Sequence, residues 1–563
     1  MMKYKCSLHQ TLVVIFCLII ITIFPISAIA QVEHIPIVHP VYTYLLRAET
    51  KGLLPHFSLS SLPLQRQEIR KALNLIDQQK DELTDNEKAV LLRFQREFIL
   101  ENRENAVLVQ SESDSTNLLF SSLFSDKEKL VYMYKDSTAT VQIHPLAMTG
   151  IFIDKQHTEN AQSVTYAQGG ARIMGTLSNA LGFFLQVTNG TVVSGEREVA
   201  LRDPRLKQNI KFATFNSDFD FTESHLRFDH KWFYAYIGRE NRVIGSGYFN
   251  RIFLSDAAPP SDAIMLGAKF KTVEYRFMHA SLLSVPEDSN GRLLISKNDI
   301  YPAGPFLNLR PKYFATHRIS WRPSWGEISL WDGIIYSRPM DIGYLNPLSF
   351  YKSVEHSLRD RDNSMMGFDM TIRPVSNIQL KGSFLLDDII FKELGSDFWS
   401  NKTTFNIGAA YATPYNCDIQ VEYARVFPFT FSHFNPQNSA TNDVILMMGS
   451  LPPNSDEIST KFIMWWGNRY PLQITAAYIR HGENIVDANN NVIVNAGGDI
   501  FLSNTGSQNA PFLNGNLRST FLLQLDAGWE IIRGFNVQSM ARLQNINGEP
   551  TVTARILFRM DDF

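Results

Sequence analysis

The sequence predicts a mainly β protein: a transmembrane antiparallel β-barrel of roughly 16 to 18 strands, preceded by a small N-terminal α-helical bundle. Three observations lead there. The chain opens on an export signal, the segment after it carries a helical period, and residues 137–563 alternate apolar and polar side chains with a period of two.

The export signal occupies residues 1–30. Lys3 and Lys5 give it a positive start, Leu12 to Phe24 form a 13-residue apolar stretch, Pro25 breaks it, and Ala28, Ile29 and Ala30 make an A-x-A cleavage site. That stretch is shorter than the roughly 17 to 25 residues a spanning helix needs, which favours cleavage over a retained anchor. Cys17 lies inside the apolar run rather than after a small residue, so no lipid anchor is expected. No later uncharged apolar run approaches about 18 residues, and membrane crossing by the mature chain therefore falls to strands.

Composition excludes some classes. With 19% charged residues and a net charge of −3, the chain lacks the basic surface that nucleic acid demands. Cys6 and Cys17 leave with the signal, and Cys417 alone cannot form an internal disulfide.

Residues 31–105 read as the helical segment. Val41, Tyr42, Leu45 and Leu46 share a face within His39 to Lys51, and Gly52 follows as a stop. Pro63 suits the first turn of a second helix, whose stripe is Ile69, Ala72, Leu73 and Ile76. Thr84 and Glu87 have capping-box spacing at the head of a third, which runs on through Leu91, Phe94 and Phe98. Such stripes are ordinarily core, so the expected role is packing or plugging. Residues 106–136, with a polar stretch from Ser111 to Asn117, form a linker.

In residues 137–563, Leu181, Phe183, Leu185 and Val187 alternate with Gly182, Gln186 and Thr188. Phe405, Ile407, Ala409 and Tyr411 alternate with Thr404, Asn406, Gly408 and Ala410, and the pattern recurs at Phe521 to Trp529, Phe535 to Ala541 and Val552 to Met560. The second face is small, polar or charged, as a barrel lumen requires, and the first is apolar, as lipid requires. All eight Trp lie in this region, with Trp232, Trp321, Trp325, Trp399, Trp465 and Trp466 near strand ends, where interfacial rings belong. Asp256 to Asp262, Met340 to Asn363, Phe427 to Glu457 and His481 to Asn516 read as external loops. Phe563 resembles the terminal aromatic of outer-membrane barrels but is out of phase with the last strand.

Several segments, in order, resemble the Wzi-like capsule-assembly family: SLPLQRQEIRKALNLID (61–77), AYIGRENRVIGSGYFNRIFLSDAAPPSDAI (235–264), DIGYLNPLSFYKSVEH (341–356), DNSMMGFDMTI (362–372) and LKGSFLLDDI (380–389). The resemblance covers most of the mature chain. It implies an outer-membrane barrel of a Gram-negative bacterium with a helical bundle on its periplasmic side. Its implied partners are outer-membrane lipid and the capsular or exopolysaccharide that it helps to hold at the cell surface.

No catalytic, cofactor-binding or metal site is expected. The chain has no H-E-x-x-H, G-x-S-x-G, C-x-x-C or P-loop, and Gly245, Ser246 and Gly247 lack the third glycine of a nucleotide loop. Asp387 and Asp388, as strand neighbours, point to opposite faces and do not share an acid/base site. Arg239, Glu240 and Arg242 suit a lumen wall or loop base, and His356 near Asp360 and Asp362 reads as a loop histidine. Sugar binding calls for aromatic platforms beside amides. Two loops have both: Tyr344, Asn346, Phe350, Tyr351 and Asn363 in one, and Phe427, Phe429, Phe431, His433, Phe434 and Asn435 in the other. Loop anchoring explains the same rings, and no polysaccharide-binding residue is assigned. Two functions stay open: a polysaccharide-retaining surface protein, and a diffusion porin or small-solute transporter. A porin must keep an aqueous path.

Overall fold

The computed structural model describes residues 31–98, 105–107, 123–156, 160–214, 218–287, 293–294 and 310–561. The predicted signal peptide (residues 1–30), the stretch Ser111 to Asn117 and Phe563 lie outside the described residues.

Eighteen antiparallel strands close on themselves. They are β1 (Thr140–Lys155), β2 (Gln162–Leu177), β3 (Leu181–Ser194), β4 (Phe219–His230), β5 (Phe233–Glu240), β6 (Ser261–Phe270), β7 (Val273–Leu282), β8 (Lys312–Trp321) and β9 (Gly326–Tyr336). The second half comprises β10 (Asn363–Val375), β11 (Ile378–Asp388), β12 (Lys402–Ala412), β13 (Cys417–Val426), β14 (Ser455–Met464), β15 (Leu472–Glu483), β16 (Asn516–Ile532), β17 (Phe535–Ile546) and β18 (Glu549–Met560). The seam joins β18 to β1, from Val552 opposite Lys155 to Met560 opposite Ala147. Among the described residues the eighteen strands close without a gap, as a membrane-spanning sheet needs because lipid offers no hydrogen bonds, and a short strand, Tyr132–Lys135, adds to the start of β1.

The alternation sorts as expected. Ile407 and Tyr411 are exposed on the outer wall while Asn406, Gly408 and Ala410 are buried inside, and Leu523, Leu525 and Trp529 face out beside the inward Gln524 and Asp526. Trp232, Trp321, Trp325 and Trp466 sit on the outer wall at the end with short turns, the Trp321 and Trp325 rings 5.8 Å apart. Two tryptophans depart from that girdle. Trp465 turns inward and donates from Nε1 to Asp418 (2.9 Å), because its side chain alternates with that of Trp466. Trp399 lies in the external connection between β11 and β12, against Phe429.

The helical segment gives α1 (Val41–Lys51), α2 (Arg66–Asp77) and α3 (Asp85–Phe98). Gly52 ends α1 with φ 86°, a left-handed position that glycine takes without strain. The Thr84/Glu87 box heads α3: Glu87 accepts from the Thr84 N–H (2.7 Å) and Thr84 from the Glu87 N–H (3.3 Å). Pro63 does not start α2. That helix begins at Arg66 behind Gln65, which forms a capping box with Glu68, since a reciprocal cap satisfies two backbone donors that proline leaves open. Ile69, Leu73, Ile76, Val90, Phe94 and Phe98 make one core, which Ile463 and Trp465 of the barrel complete.

Candidate functional site

The helices close the short-turn end of the barrel, the periplasmic one by the rule that periplasmic turns are short and external loops long. Buried ion pairs hold them to the wall. Arg47 bonds Glu87 (2.8 Å) and Asp418, Arg373 of β10 reaches Glu49 (3.2 Å), and Arg469 bridges Glu97 (2.6 Å) and Glu530 (3.0 Å). His39 adds a bond to Glu97 (2.8 Å). A charge removed from water in this way stays charged only when paired, which ties the module to these strands.

From the other end, the connection between β5 and β6 folds into the lumen. Glu422, an inward side chain of β13, accepts the N–H groups of Tyr248 (2.6 Å), Phe249 (3.4 Å) and Asn250 (2.7 Å). Ser246 bonds Thr371 and Ser383, and Phe253 stacks on Trp331 at 4.2 Å. A lumen wall rich in hydroxyls, amides and carboxylates thus replaces the water this loop's backbone would otherwise bond. The incoming loop meets the N-terminal segment within the lumen: Ser61 and Leu62 pair with Ile244 and Val243, and Arg251 bonds the Leu59 carbonyl (2.7 Å).

The connection between β13 and β14 also packs inward. Phe431, Met447, Met448 and Leu451 join Ile252, Phe253, Phe314 and Trp331 in one apolar cluster. Lys312 donates to the Ser439 carbonyl and to Thr441, both at 3.0 Å. The half of the lumen bounded by β5 to β14 is therefore occupied by protein. Along β16 to β18, inward Gln524, Asp526, Arg542 and Arg555 are only half-buried.

The sugar-contact candidates divide. Tyr344, Tyr351, Phe429 and Phe431 are buried, and Asn363 spends its amide on the Asn438 carbonyl, so none of these presents a free face. Asn346 and Phe350 are exposed, as is Phe434, whose ring centroid lies 4.0 Å from that of His433; Phe427 and Asn435 are half-buried. A neighbouring external feature escaped the sequence reading. The connection after β11 carries Phe391, Phe398 and Trp399 and is strapped to the connection after β15 by bonds from Trp399 N to Gln508 O and from Ala510 N to Asp397 O. Its rings and amides lie far apart in sequence, and only the run Phe398-Trp399 could have marked it.

Asp387 is buried and accepts the Phe431 N–H (2.6 Å), whereas Asp388 faces out and accepts from Ser400. They share no site, as strand geometry requires. His356 lies 3.9 Å from Asp360 on an exposed helix end, and Asp362 is engaged by Arg338 and Tyr344. Arg239 faces outward to Asp262, while Glu240 and Arg242 are buried inside.

Glu240 draws in a histidine pair, with His34 Nδ1 at 3.0 Å and His225 Nδ1 at 3.3 Å. The three have metal-ligand spacing. Their hydrogen bonding does not suit a metal. The His34 N–H donates to His225 Nε2 (3.1 Å) and Arg227 to His34 Nε2 (3.2 Å), so both Nε2 atoms accept and both Nδ1 atoms carry the proton facing Glu240. Burial keeps His34 neutral, its pKa pushed down to about 4 despite the Glu240 carboxylate. The cluster pins the segment around His34 to β4 and β5.

No protein-family model matches the chain, and no curated protein does. Among solved structures it is similar to Wzi of Escherichia coli, described as an outer-membrane protein involved in group 1 capsule assembly and a carbohydrate-binding β-barrel. The TM-score is 0.54 at 12% identity, over 93% of this chain and 99% of that one. OpdQ of Pseudomonas aeruginosa (TM-score 0.40, 9% identity, 74% of this chain, 97% of that one) and OccAB4 of Acinetobacter baumannii (0.42, 9%, 76%, 98%) also match. The chain has an outer-membrane β-barrel fold, and the architecture is that of the Wzi barrel.

Proposed function

We propose that this protein binds and retains capsular or exopolysaccharide at the outer surface of the outer membrane, without catalysing a reaction on it. One observation carries the reading: protein enters the lumen from both ends and pairs there, backbone to backbone, at Ser61–Leu62 and Val243–Ile244. A porin would need that space as water. The external face, by contrast, offers loops with exposed rings beside amides, the chemistry that stacks on sugar faces and bonds hydroxyls. Each sugar bond exchanged for water gains only about 0.5 to 1.5 kcal/mol, so retention of a polymer would come from many copies and repeated units acting together.

The alternative is a diffusion porin or small-solute transporter, favoured by the half-buried polar wall of β16 to β18. A deletion strain separates the two. The expected result is unchanged polymer synthesis, polymer shed into the medium and unchanged solute uptake; intact retention with lost uptake would establish the alternative instead.

A further inference from the structure

The connection between β9 and β10, residues 337–362, folds outside the barrel. It contains two short helices, Ile342–Leu345 and Tyr351–Ser357. Tyr344 and Tyr351 are fully buried against Ala315, Ile334 and Tyr336, which lie on the opposite face of β8 and β9 from the lumen residues Phe314, Trp331 and Ile335. Beneath the flap lies a polar pair in the lipid-facing register, His317 Nδ1 to Asp332 Oδ1 at 2.9 Å. The Tyr351 ring stacks on His317 at 4.2 Å, its backbone N–H donates to Asp332 (3.2 Å), and the Tyr275 hydroxyl donates to the Pro347 carbonyl. Irregular backbone at this depth is tolerated in hydrocarbon only when its polar groups are satisfied, and here wall side chains and short helices satisfy them.

The flap's own outer face is apolar. Ile342 and Leu348 are each 84% exposed, and Phe350 is 54% exposed. They extend the lipid-facing wall formed by Ile319, Leu330 and Phe368. Where the flap returns to the external rim, Arg338 is engaged by Asp341 and Asp362, and Lys352 by Glu355 and, at 3.7 Å, Asp360. Arg359 and Arg361 are exposed there, with no carboxylate within ion-pair distance among the described residues. Apolar side chains below two exposed guanidiniums, of which Arg361 acts on Asp341 only from beyond ion-pair distance, match an amphiphile with acyl chains below a phosphate.

We propose that this flap is a docking surface for a phosphorylated lipid of the outer leaflet, its acyl chains against Ile342, Leu348 and Phe350 and its phosphate on Arg359 and Arg361. The proposal stands on the barrel's orientation alone, independent of polysaccharide binding.

Two measurements on the full mature chain test it. In the first, an environment-sensitive fluorophore is placed at position 348 (Leu348→Cys with Cys417→Ser) and the protein is reconstituted in vesicles. Quenching by brominated acyl chains, with protection from aqueous iodide, is expected; the reverse order would overturn the proposal. In the second, protein in detergent is exposed to a hexa-acylated, bisphosphorylated glucosamine disaccharide or to its dephosphorylated form, and retained lipid is counted by native mass spectrometry. Preference for the phosphorylated probe is expected to fall about fivefold in Arg359→Gln/Arg361→Gln, as loss of charge-assisted bonds implies. Equal retention of the two probes by the unsubstituted protein, or unchanged preference in the double variant, would refute the phosphate assignment. Neither substitution touches the barrel wall.

Discussion

Two long external connections of this barrel leave the same rim and go opposite ways. The one after β5 enters the lumen, and the one after β9 lies on the outer wall. Their chemistry accounts for it. The inward loop runs from Gly245 to Phe253 without regular structure through its centre, so its amides need partners, and the lumen supplies Glu422, Thr371 and Ser383. The outward flap folds part of its backbone into two short helices and turns Ile342, Leu348 and Phe350 away from the wall, the arrangement that a segment in hydrocarbon would need. The solvent each can enter is decided by where its backbone hydrogen bonds end.

The largest effect should come from removing the inward loop. Replacing residues 245–252 with a short Gly–Ser linker, together with deletion of the helical segment 31–98 that closes the other end, is expected to turn a barrel without measurable conductance in planar bilayers into a conducting one, while the flap and the outer wall stay as they are. If unsubstituted protein already conducts steadily, the lumen is not closed and the contrast between the two loops fails.

The module beneath the loop comes next. Arg469→Ala removes the guanidinium buried between Glu97 and Glu530, which keep Arg533 and, respectively, His39 and Arg93, so the loss of its charge-assisted bonds is expected to cost about 1.5 to 3 kcal/mol, read by denaturant unfolding in detergent. A cost below 1 kcal/mol would mean that water reaches this interface.

The wall itself can be tested at two nearby positions. Ile556, facing outward between Ser539 and Ile151, should lose about 2 to 4 kcal/mol on Ile556→Arg if its side chain meets the hydrocarbon midplane. Thr553, facing the lumen opposite Arg542 and Asp154, should tolerate Thr553→Arg better. Equal losses would show that the two faces do not differ in environment.

The smallest effect is one of pH. Burial would raise the Glu68 carboxyl, but the Lys269 ammonium at 2.6 Å outweighs it and brings the pKa down to about 2. A lowered folded-state pKa stabilises above the unfolded carboxylate value near 4.3 and is lost as pH falls through about 2. Attachment of α2 to the wall should therefore weaken between about pH 4.3 and 2. Pulsed hydrogen exchange across that window should show protection in α2 falling with pH, and Glu68→Gln should flatten the response.

The parity of the wall was legible because a strand repeats every two residues, and the outward sets Leu181 to Val187, Phe405 to Tyr411, Phe521 to Trp529 and Val552 to Met560 all lie on the outer wall. The capping box of α3 was legible for the same local reason. The inward loop was not. Its partners Glu422, Asn406 and Thr371 lie on three other strands, and no period in the loop marks them. The flap did leave one trace: Asp332 falls among Ile328, Leu330 and Ile334 in the lipid-facing register, and a carboxylate there needs cover. For sugar contact the aromatic loops were a looser guide, since burial claims Tyr344, Tyr351, Phe429 and Phe431 and leaves Phe350 and Phe434 in the open.

The short ladder inside the lumen, where Ser61 and Leu62 meet Ile244 and Val243, also has a mechanical meaning. A pull on the outer loop is not borne by its two strand ends alone. It passes along the main chain to Ser60 and Leu59, which bond Gly245 and Arg251, and from there to helices anchored by Arg47, Arg373 and Arg469 at the opposite mouth. A tether attached outside would thus be braced from the periplasm, the load shared between a cylinder and a clamp at its base.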